Sequence, residues 1–356
     1  MHRILMVTPH IKSQRGNSIT AARLYAGLQQ YGFIMDLVSF DEPDWRLHLD
    51  RCTRAVNYRL VHAFHAFQFS RIADYNSINT IPLLITTTGT DINYDLTGPN
   101  KQPTLSVLLK AKKIVYFNQS LAEYSAEIDP RLRSRSVIIP QGIELTPGYP
   151  LSRSDLGLSP DNVVFIIPSG LRPIKDLDLA IDALESIYPE CPQLRLLIVG
   201  APIDAKYTAH IKYRISTLNW ATYLGEVPHR QIRSIMETAD IVLNTSRAEG
   251  QPQGALEVMS LGKPCILTAV PGNCGIIKHG RHGYYVNTSD ELAALALKLI
   301  RDPNLQHIMG DAARQLVRER FSAENELSAY SRIYQELLLP PYQSSTLDST
   351  KEIPEK

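Results

Sequence analysis

Residues 240–275 read DIVLNTSRAEGQPQGALEVMSLGKPCILTAVPGNCG. Their order is strand, loop, helix, strand, loop. Ile241, Val242 and Leu243 form a short apolar run of the kind buried in a parallel sheet. The loop ends in Glu249-Gly250, and Pro252 suits the first position of a helix, where a missing N–H costs nothing. The amides of Gln253, Gly254 and Ala255 should then lack intrahelical partners, which makes an anion site strengthened by the helix dipole. Glu257 lies four residues beyond Gln253 and shares its face. Amides suit a phosphate, and carboxylates accept well from vicinal hydroxyls, so the stretch fits a phosphorylated sugar.

Working outward, Glu249 and Glu257 give the spacing Glu-x7-Glu, followed by M-S-L-G-K-P. The run resembles the signature E-G-F-G-x-x-x-x-E-A-M-x-x-G-x-P of retaining, family-4-type glycosyltransferases with two Rossmann-like domains, the GT-B architecture. Gln251 replaces the usual aromatic residue and Pro252 the usual glycine. The bland alternative is a helix start with Glu257 on a solvated face. The strand–loop–helix context is the one the motif requires and favours the functional reading.

The chain of 356 residues is long enough for two domains, each with its own core. A net charge of +1 gives no bulk field for nucleic acid or an anionic membrane. No apolar stretch approaches a membrane span. The opening MHRILMVTPH is too short in its apolar run for a signal-peptide core and reads as a first strand. Cys52, Cys191, Cys265 and Cys274 show no C-x-x-C spacing, which fits reduced thiols and a cytoplasmic location.

In the first half, strands are expected at Arg3–Thr8, Phe33–Phe40, Tyr58–Phe64, Pro82–Thr87, Lys113–Phe117 and Ser136–Pro140. The loop Pro9–Asn17 carries Lys12, Arg15, Gly16 and Asn17. Ser18 is the expected N-cap of a helix to about Tyr31, with Gly32 as its stop. G-N-S-I-T is not G-x-G-x-x-G, and no acidic residue ends the second strand in the dinucleotide manner, which disfavours a nicotinamide cofactor. His62 and His65 close the third strand. At period two one of them faces inward, and His65 stands at the carboxyl end, where open α/β sheets bind ligands. In the turn T-T-T-G-T-D, the family resemblance implies a histidine where this chain has Thr88. Threonine cannot act as a base near neutral pH, so Asp91 and His65 are the nearby candidates. For Asp91 a turn-bracing role is the alternative.

The Pro- and Gly-rich run from Gly142 to Pro160 reads as the hinge. Strands at Val163–Pro168, Leu194–Gly200, Thr222–Gly225, Asp240–Asn244 and Pro264–Ala269 follow, with helices between. Arg172 and Lys175 lie in a loop where a strand's carboxyl end meets a helix start near Leu177. Fixed cations there suit the charge that develops on a departing diphosphate. The family's G-R-x-x-x-x-K is matched by Lys175, while Gly170 occupies the arginine slot and Arg172 lies two residues later. Asp176-Leu-Asp178 has a D-x-D pattern but reads as a helix opening favoured by the dipole, so no metal site is expected. Pro228 opens a further helix, and Pro271–Gly275 is a turn. Helices are expected at Glu291–Ile300, Leu305–Glu319 and Ser322–Leu339.

Several short elements recur together: G-N-x-x-T-A-x-R, T-G-T-D, G-L-R-x-x-K-D, G-E-x-P-x and P-G-N. They resemble a sub-branch that takes in glycosyltransferase 1 domain-containing proteins and, at greater distance, selenosugar synthases. The resemblance implies a Rossmann-like acceptor domain at 1–141, a linker at 142–160 and a nucleotide-sugar domain at 161–320. A helix at 321–339 would pack back on the first domain, ahead of a polar, disordered tail at 340–356. It implies a retaining, metal-independent transfer from a nucleotide-diphosphate sugar, a UDP-sugar above all, to an unassigned small-molecule or glycan acceptor, with no cofactor. Glu249 would hold sugar hydroxyls and Glu257 the ribose. Lys175, Arg172 and the 253–255 amides would hold the diphosphate, with Gly16 and Asn17 closing over it. His65, Thr88 and Asp91 would face the acceptor. Thr88 also fits a selenosugar or thiosugar synthase, whose nucleophile arrives ionised, or a silent nucleotide-sugar binder.

Overall fold

The computed structural model describes residues 3–11 and 16–339, without the side chains of Gly16, Asn17 and His229. The expected tail, and Lys12 and Arg15, lie outside the described residues.

The chain runs β1 (Arg3–Thr8), α1 (Gly16–Gln30), β2 (Ile34–Ser39), α2 (Trp45–Ala55), β3 (Leu60–Phe64), α3 (Ala66–Phe69), β4 (Leu83–Thr86), α4 (Lys101–Lys110), β5 (Lys113–Tyr116), α5 (Gln119–Ile128) and β6 (Ser136–Ile138). After the linker come β7 (Val163–Pro168), α6 (Leu177–Ile187), β8 (Leu194–Val199), α7 (Ala205–Ser216), β9 (Ala221–Gly225), α8 (His229–Thr238), β10 (Ile241–Asn244), α9 (Gln253–Ser260), β11 (Cys265–Thr268) and β12 (Gly283–Val286). The helices α10 (Ser289–Arg301), α11 (Pro303–Arg320) and α12 (Ala323–Leu338) follow.

These strands make two parallel six-stranded sheets, ordered β2-β1-β3-β4-β5-β6 and β12-β11-β10-β7-β8-β9. The two apolar runs that open each sheet fall where the sequence puts them, because strands covered on both faces read as unbroken hydrophobic runs. In the second sheet β7 is flanked by β8 and β10, so strand order reverses there. That reversal opens a crevice at the carboxyl ends of β7 and β10. The 172–176 loop leaves β7 and the 245–252 loop leaves β10. Topology alone therefore brings two segments some 70 positions apart in sequence side by side.

Three local expectations need correction. α1 begins at Gly16, so Ser18 lies inside its first turn and is not its cap; Gly32, at φ +85°, does end the turn beyond it. Pro252 is the N-cap of α9 and not its first helical residue. The helix α2 and the strand β12 were not anticipated; β12 is four residues, and its Gly283 has no room for a Cβ against the Cys265 carbonyl.

α12 returns to the first sheet. Tyr330 and Tyr334 are fully buried there with Ile4, Met6, Leu24 and Leu28. His62 links this packing: one ring nitrogen, Nδ1, lies 2.7 Å from the Tyr334 hydroxyl and the other, Nε2, 2.8 Å from Thr86 Oγ1. Burial pushes His62 down to about 3, so the imidazole is neutral at any physiological pH. It is the inward-facing member of the His62/His65 pair, and it is structural. The junction of α11 and α12 also straps the linker, since Ile143 N donates to Phe321 O at 2.7 Å. Arg23 on α1 donates twice to the buried Glu326 of α12, at 2.9 and 2.7 Å.

Candidate active site at the β7/β10 crevice

Glu249 is the centre of the crevice. Its Oε1 accepts from Lys175 Nζ at 2.5 Å, Ser246 Oγ at 2.7 Å and Asn244 Nδ2 at 2.9 Å. Burial pushes this carboxyl up, but the Lys175 charge and the hydrogen bonds from Asn244, Lys175 and Ser246 outweigh it and hold it below the usual carboxylate range. Asn244 is itself fixed, because its Oδ1 accepts from Asn273 Nδ2 at 3.1 Å. Gly272 presses on the same loop. A Cβ there would lie 2.0 Å from the Glu249 carbonyl oxygen, so only glycine fits the P-G-N turn.

The two loops are stitched together along their backbones. Arg247 N donates to Ile174 O at 2.8 Å, and Thr245 Oγ1 to Lys175 O at 3.0 Å. Arg247 also pairs with Asp176, which sits at φ +42° as the N-cap of α6. Asp178 pairs with His210 and Arg214 on α7. Of the D-x-D aspartates, Asp176 thus ties the two loops together and Asp178 docks α7 against α6. Arg172 is half-buried and opens the 3₁₀ turn Pro173–Lys175, beside the crevice.

α9 points its N-terminus into the same place. Of the three amides expected to be unpartnered, Gln253 N turns back onto Gln251 O at 2.9 Å, because Pro252 leaves the chain in a tight turn. Among the described residues no hydrogen bond engages the amides of Gly254 and Ala255. Gly254 must be glycine: a Cβ would lie 2.5 Å from Pro168 O at the end of β7. Glu257, one turn further, is half-buried, and burial pushes its carboxyl up to about 7, with the Arg23 charge opposing.

The first half faces this crevice closely. The T-T-T-G-T-D turn touches the Glu249-Gly250 turn backbone to backbone: a Cβ on Gly89 would lie 2.4 Å from Gly250 N, and one on Gly250 2.8 Å from Thr88 O. Thr88 Oγ1 is buried and meets no hydrogen-bond partner among the described residues. Asp91 is fully buried, with one oxygen accepting from Thr88 N at 2.9 Å and the other from Ala66 N at 3.0 Å. These contacts match the turn-bracing role, with an amide on each oxygen. His65, at φ +67°, accepts from Gln68 N through Nδ1 at 3.5 Å. Its Nε2 lies 3.1 Å from Thr90 Oγ1 and 3.8 Å from Asp95 Oδ2. Gly16 and Asn17 are the first two residues of α1.

Gln251 is buried and replaces the family's aromatic residue with two hydrogen bonds. Gln141 N donates to its Oε1 and its Nε2 donates to Gln141 O, each at 3.0 Å. Gln141 in turn reaches Thr20 Oγ1 on α1 at 2.9 Å. Sequence reasoning missed Asn244 and Ser246 as partners of Glu249, and Asn273 as the residue that fixes Asn244. The polar run N-T-S directly after an apolar strand was the available signal for two of them.

Comparison with known proteins agrees with this fold. Residues 150–316 match the family model described as Glycosyl transferases group 1. Glycosyltransferase 1 domain-containing protein 1 of Xenopus tropicalis is 24% identical over 331 residues, covering 91% of this chain and 95% of that protein. N-acetyl-alpha-D-glucosaminyl L-malate synthase of Bacillus anthracis is 26% identical over 298 residues, covering 80% and 74%. Among solved structures, sucrose-phosphate synthase from Thermosynechococcus elongatus superposes with a TM-score of 0.79 at 17% identity, over 95% of this chain and 99% of that one. Anabaena HepE in complex with UDP-glucose gives 0.77 at 20% identity, over 94% and 100%. Residues 150–316 are therefore a group 1 glycosyl transferase domain, and the chain is a glycosyltransferase of GT-B architecture.

Proposed function

We propose that the chain moves a sugar from a nucleotide-diphosphate donor, a UDP-sugar, to an acceptor with retention at the anomeric carbon and without a metal. The observation that carries this reading is the Lys175–Glu249 pair, set beside the two unengaged amides of α9 where strand order reverses. Lys175 and Arg172 supply positive charge, and the Gly254 and Ala255 amides supply donors, for the oxygen of the departing diphosphate. Glu249, kept ionised, accepts from sugar hydroxyls, and Glu257 from the ribose. In the transfer, the bond from the anomeric carbon to the diphosphate oxygen breaks and a bond to the acceptor atom forms on the same face. The acceptor's proton passes to the departing phosphate oxygen, so no side-chain base is needed. HepE, of the same fold, has been solved with UDP-glucose, and that donor class is extended here to this chain as part of the proposal.

A second reading has its own support. Thr88 carries no titratable group, and both oxygens of Asp91 are engaged by amides. An acceptor that arrives ionised, such as selenophosphate, needs no proton removed, which fits a selenosugar or thiosugar synthase using UDP-N-acetylglucosamine. A thermal-shift screen of nucleotide sugars, then mass spectrometry of products with hydroxyl acceptors and with selenophosphate, separates the two. Donor binding with no product from any acceptor would indicate a silent binder. A Lys175→Ala protein with unchanged kcat would overturn the assignment of Lys175.

A further inference from the structure

We propose that Asn118 is a positioning residue that fixes the Glu249 loop from the opposite half of the molecule. It lies between β5 and α5 in extended conformation and is buried. Its two side-chain ends face different halves. Oδ1 accepts from Leu121 N at 2.8 Å and caps α5 within the first half. Because a backbone N–H must meet an acceptor, the amide orientation is determined, and the NH2 group points away from α5. There Nδ2 donates to Gly272 O at 3.0 Å and to Gly250 O at 3.3 Å.

Both carbonyls belong to the turns that confine Glu249. Gly250 follows it directly, and Gly272 abuts its main chain. Asn93 adds a second crossing bond, from Nδ2 to the Glu249 carbonyl at 3.1 Å. Among the described residues, the hydrogen-bond partners of the Glu249 carboxylate, by contrast, all come from the second half. Lys175, Asn244 and Ser246 therefore set its charge. Asn118 sets where its loop stands relative to Thr88 and the acceptor side. Without the bridging amide, the Gly250 and Gly272 carbonyls lose a buried donor, and the turns can part. This rests on the reading of Glu249 as the sugar-binding carboxylate.

The two ends of Asn118 can be separated by substitution. Asn118→Asp keeps the cap but replaces the donor with an oxygen facing two carbonyls. Asn118→Ser also caps, but its hydroxyl is too short to cross. Asn118→Ser is expected to melt about 2–4 °C below the parent, as losing one buried donor with the cap retained implies, and Asn118→Asp, which sets a buried carboxylate against two carbonyls, lower still. Hydrogen exchange of amides 249–254 and 270–275 is expected to quicken by about tenfold, with α5 unchanged, as follows from losing a hydrogen bond of ordinary strength. Affinity for UDP alone should hold, while kcat with UDP-glucose or UDP-N-acetylglucosamine falls about tenfold. Parent-like exchange of both turns in both variants would overturn the proposal, as would loosening confined to α5. Should the parent bind no UDP compound, the donor reading fails, while the exchange data still decide the bridge. If Asn118→Asp does not fold, Asn118→Ser alone decides it.

Discussion

Replacing Lys175 by methionine should damage stability and catalysis by different routes, which a second substitution separates. The side chains of Lys175 and Glu249 are 14% and 9% exposed and lie 2.5 Å apart. Methionine keeps most of the aliphatic stem and removes the charge. Glu249 then retains Asn244 and Ser246, but burial, the largest single influence on its carboxyl, has lost its main opponent. Removing one member of a buried ion pair costs about 3–5 kcal/mol, because the other charge is left uncompensated. Glu249 can limit that cost by taking up a proton, so about 3 kcal/mol at pH 8 is the expected loss. For a domain of this size that is roughly 8 °C in melting temperature.

The pH dependence carries the sign of the effect. In the parent, the Glu249 carboxyl sits below its unfolded value of 4.5. Its contribution is therefore complete above that value and is lost as pH falls through the folded one. In Lys175→Met the folded value lies above 4.5, so the penalty is absent at low pH and grows as pH rises. The gap between parent and variant should be small near pH 4 and largest near pH 8. Adding Glu249→Gln should recover about 2 kcal/mol, since no charge remains stranded. Transfer should stay depressed by about a thousandfold in the single and double variants, because the fixed positive charge is gone from both. Melting curves from pH 4 to 8 on the four proteins of this cycle test it. Parallel curves for parent and Lys175→Met, or a double variant no more stable than the single one, would refute the reasoning.

Three further outcomes are expected. Gln251→Leu removes two buried bonds to the Gln141 main chain, and should cost about 2 kcal/mol in denaturant unfolding while loosening exchange in the linker. His62 stays neutral down to about 3, so below its ordinary value of 6.5 the unfolded chain binds a proton that the folded one refuses. The stability deficit of His62→Gln relative to the parent should therefore narrow by about 1.4 kcal/mol per pH unit between pH 6.5 and 5, as read from melting curves. Glu257 titrates at about 7 against 4.5 unfolded, a raised carboxyl whose penalty builds as pH rises between those values. Glu257→Gln should match the parent at pH 4 and exceed it by about 2 kcal/mol at pH 8, after discounting for a half-buried side chain. Calorimetry with UDP should show parent affinity rising with pH through 7 and the variant's staying flat.

The strands were legible because a sheet covered on both faces needs an unbroken apolar run, and Arg3–Thr8 and Val163–Pro168 were read to the residue. Glu249, Lys175 and the α9 N-terminus were legible as a motif whose parts lie close in sequence or follow a strand end. The partners of Glu249 were not. Asn244 and Ser246 are ordinary polar residues until the 245–249 loop folds back on its own carboxylate. Asn93 and Asn118 act across more than 130 positions, which no local pattern encodes. The Gln253 amide was misjudged because Pro252 was placed inside the helix. As the N-cap at φ −80° and ψ 71°, it instead bends the chain so that this donor meets Gln251 O.

Three of the departures from the family pattern share a location, while Gly170 in the arginine slot, with Arg172 two residues on, stands on the donor side. Thr88, Gln251 and Pro252 all stand at the seam between the halves, whereas Glu249, Glu257 and Lys175 line the crevice of the second sheet. An aromatic residue at 251 would fill space; glutamine there instead satisfies a main-chain N–H and C=O of Gln141 that burial would otherwise leave unpaired. Thr88 contributes its backbone to the Gly250 contact, where no ring is needed. The chemistry of donor binding constrains charge and donor geometry and therefore tolerates few changes. The seam has only to fix the distance between the halves and can do so with other hydrogen bonds. On the proposed function the acceptor would meet the donor at that seam, so the altered residues are the ones that would tune which acceptor this glycosyltransferase accepts. Exchanging Thr88 for the family's histidine should therefore shift acceptor choice in a product screen and leave UDP affinity within about twofold, since an interaction absent from the donor contributes little to binding it.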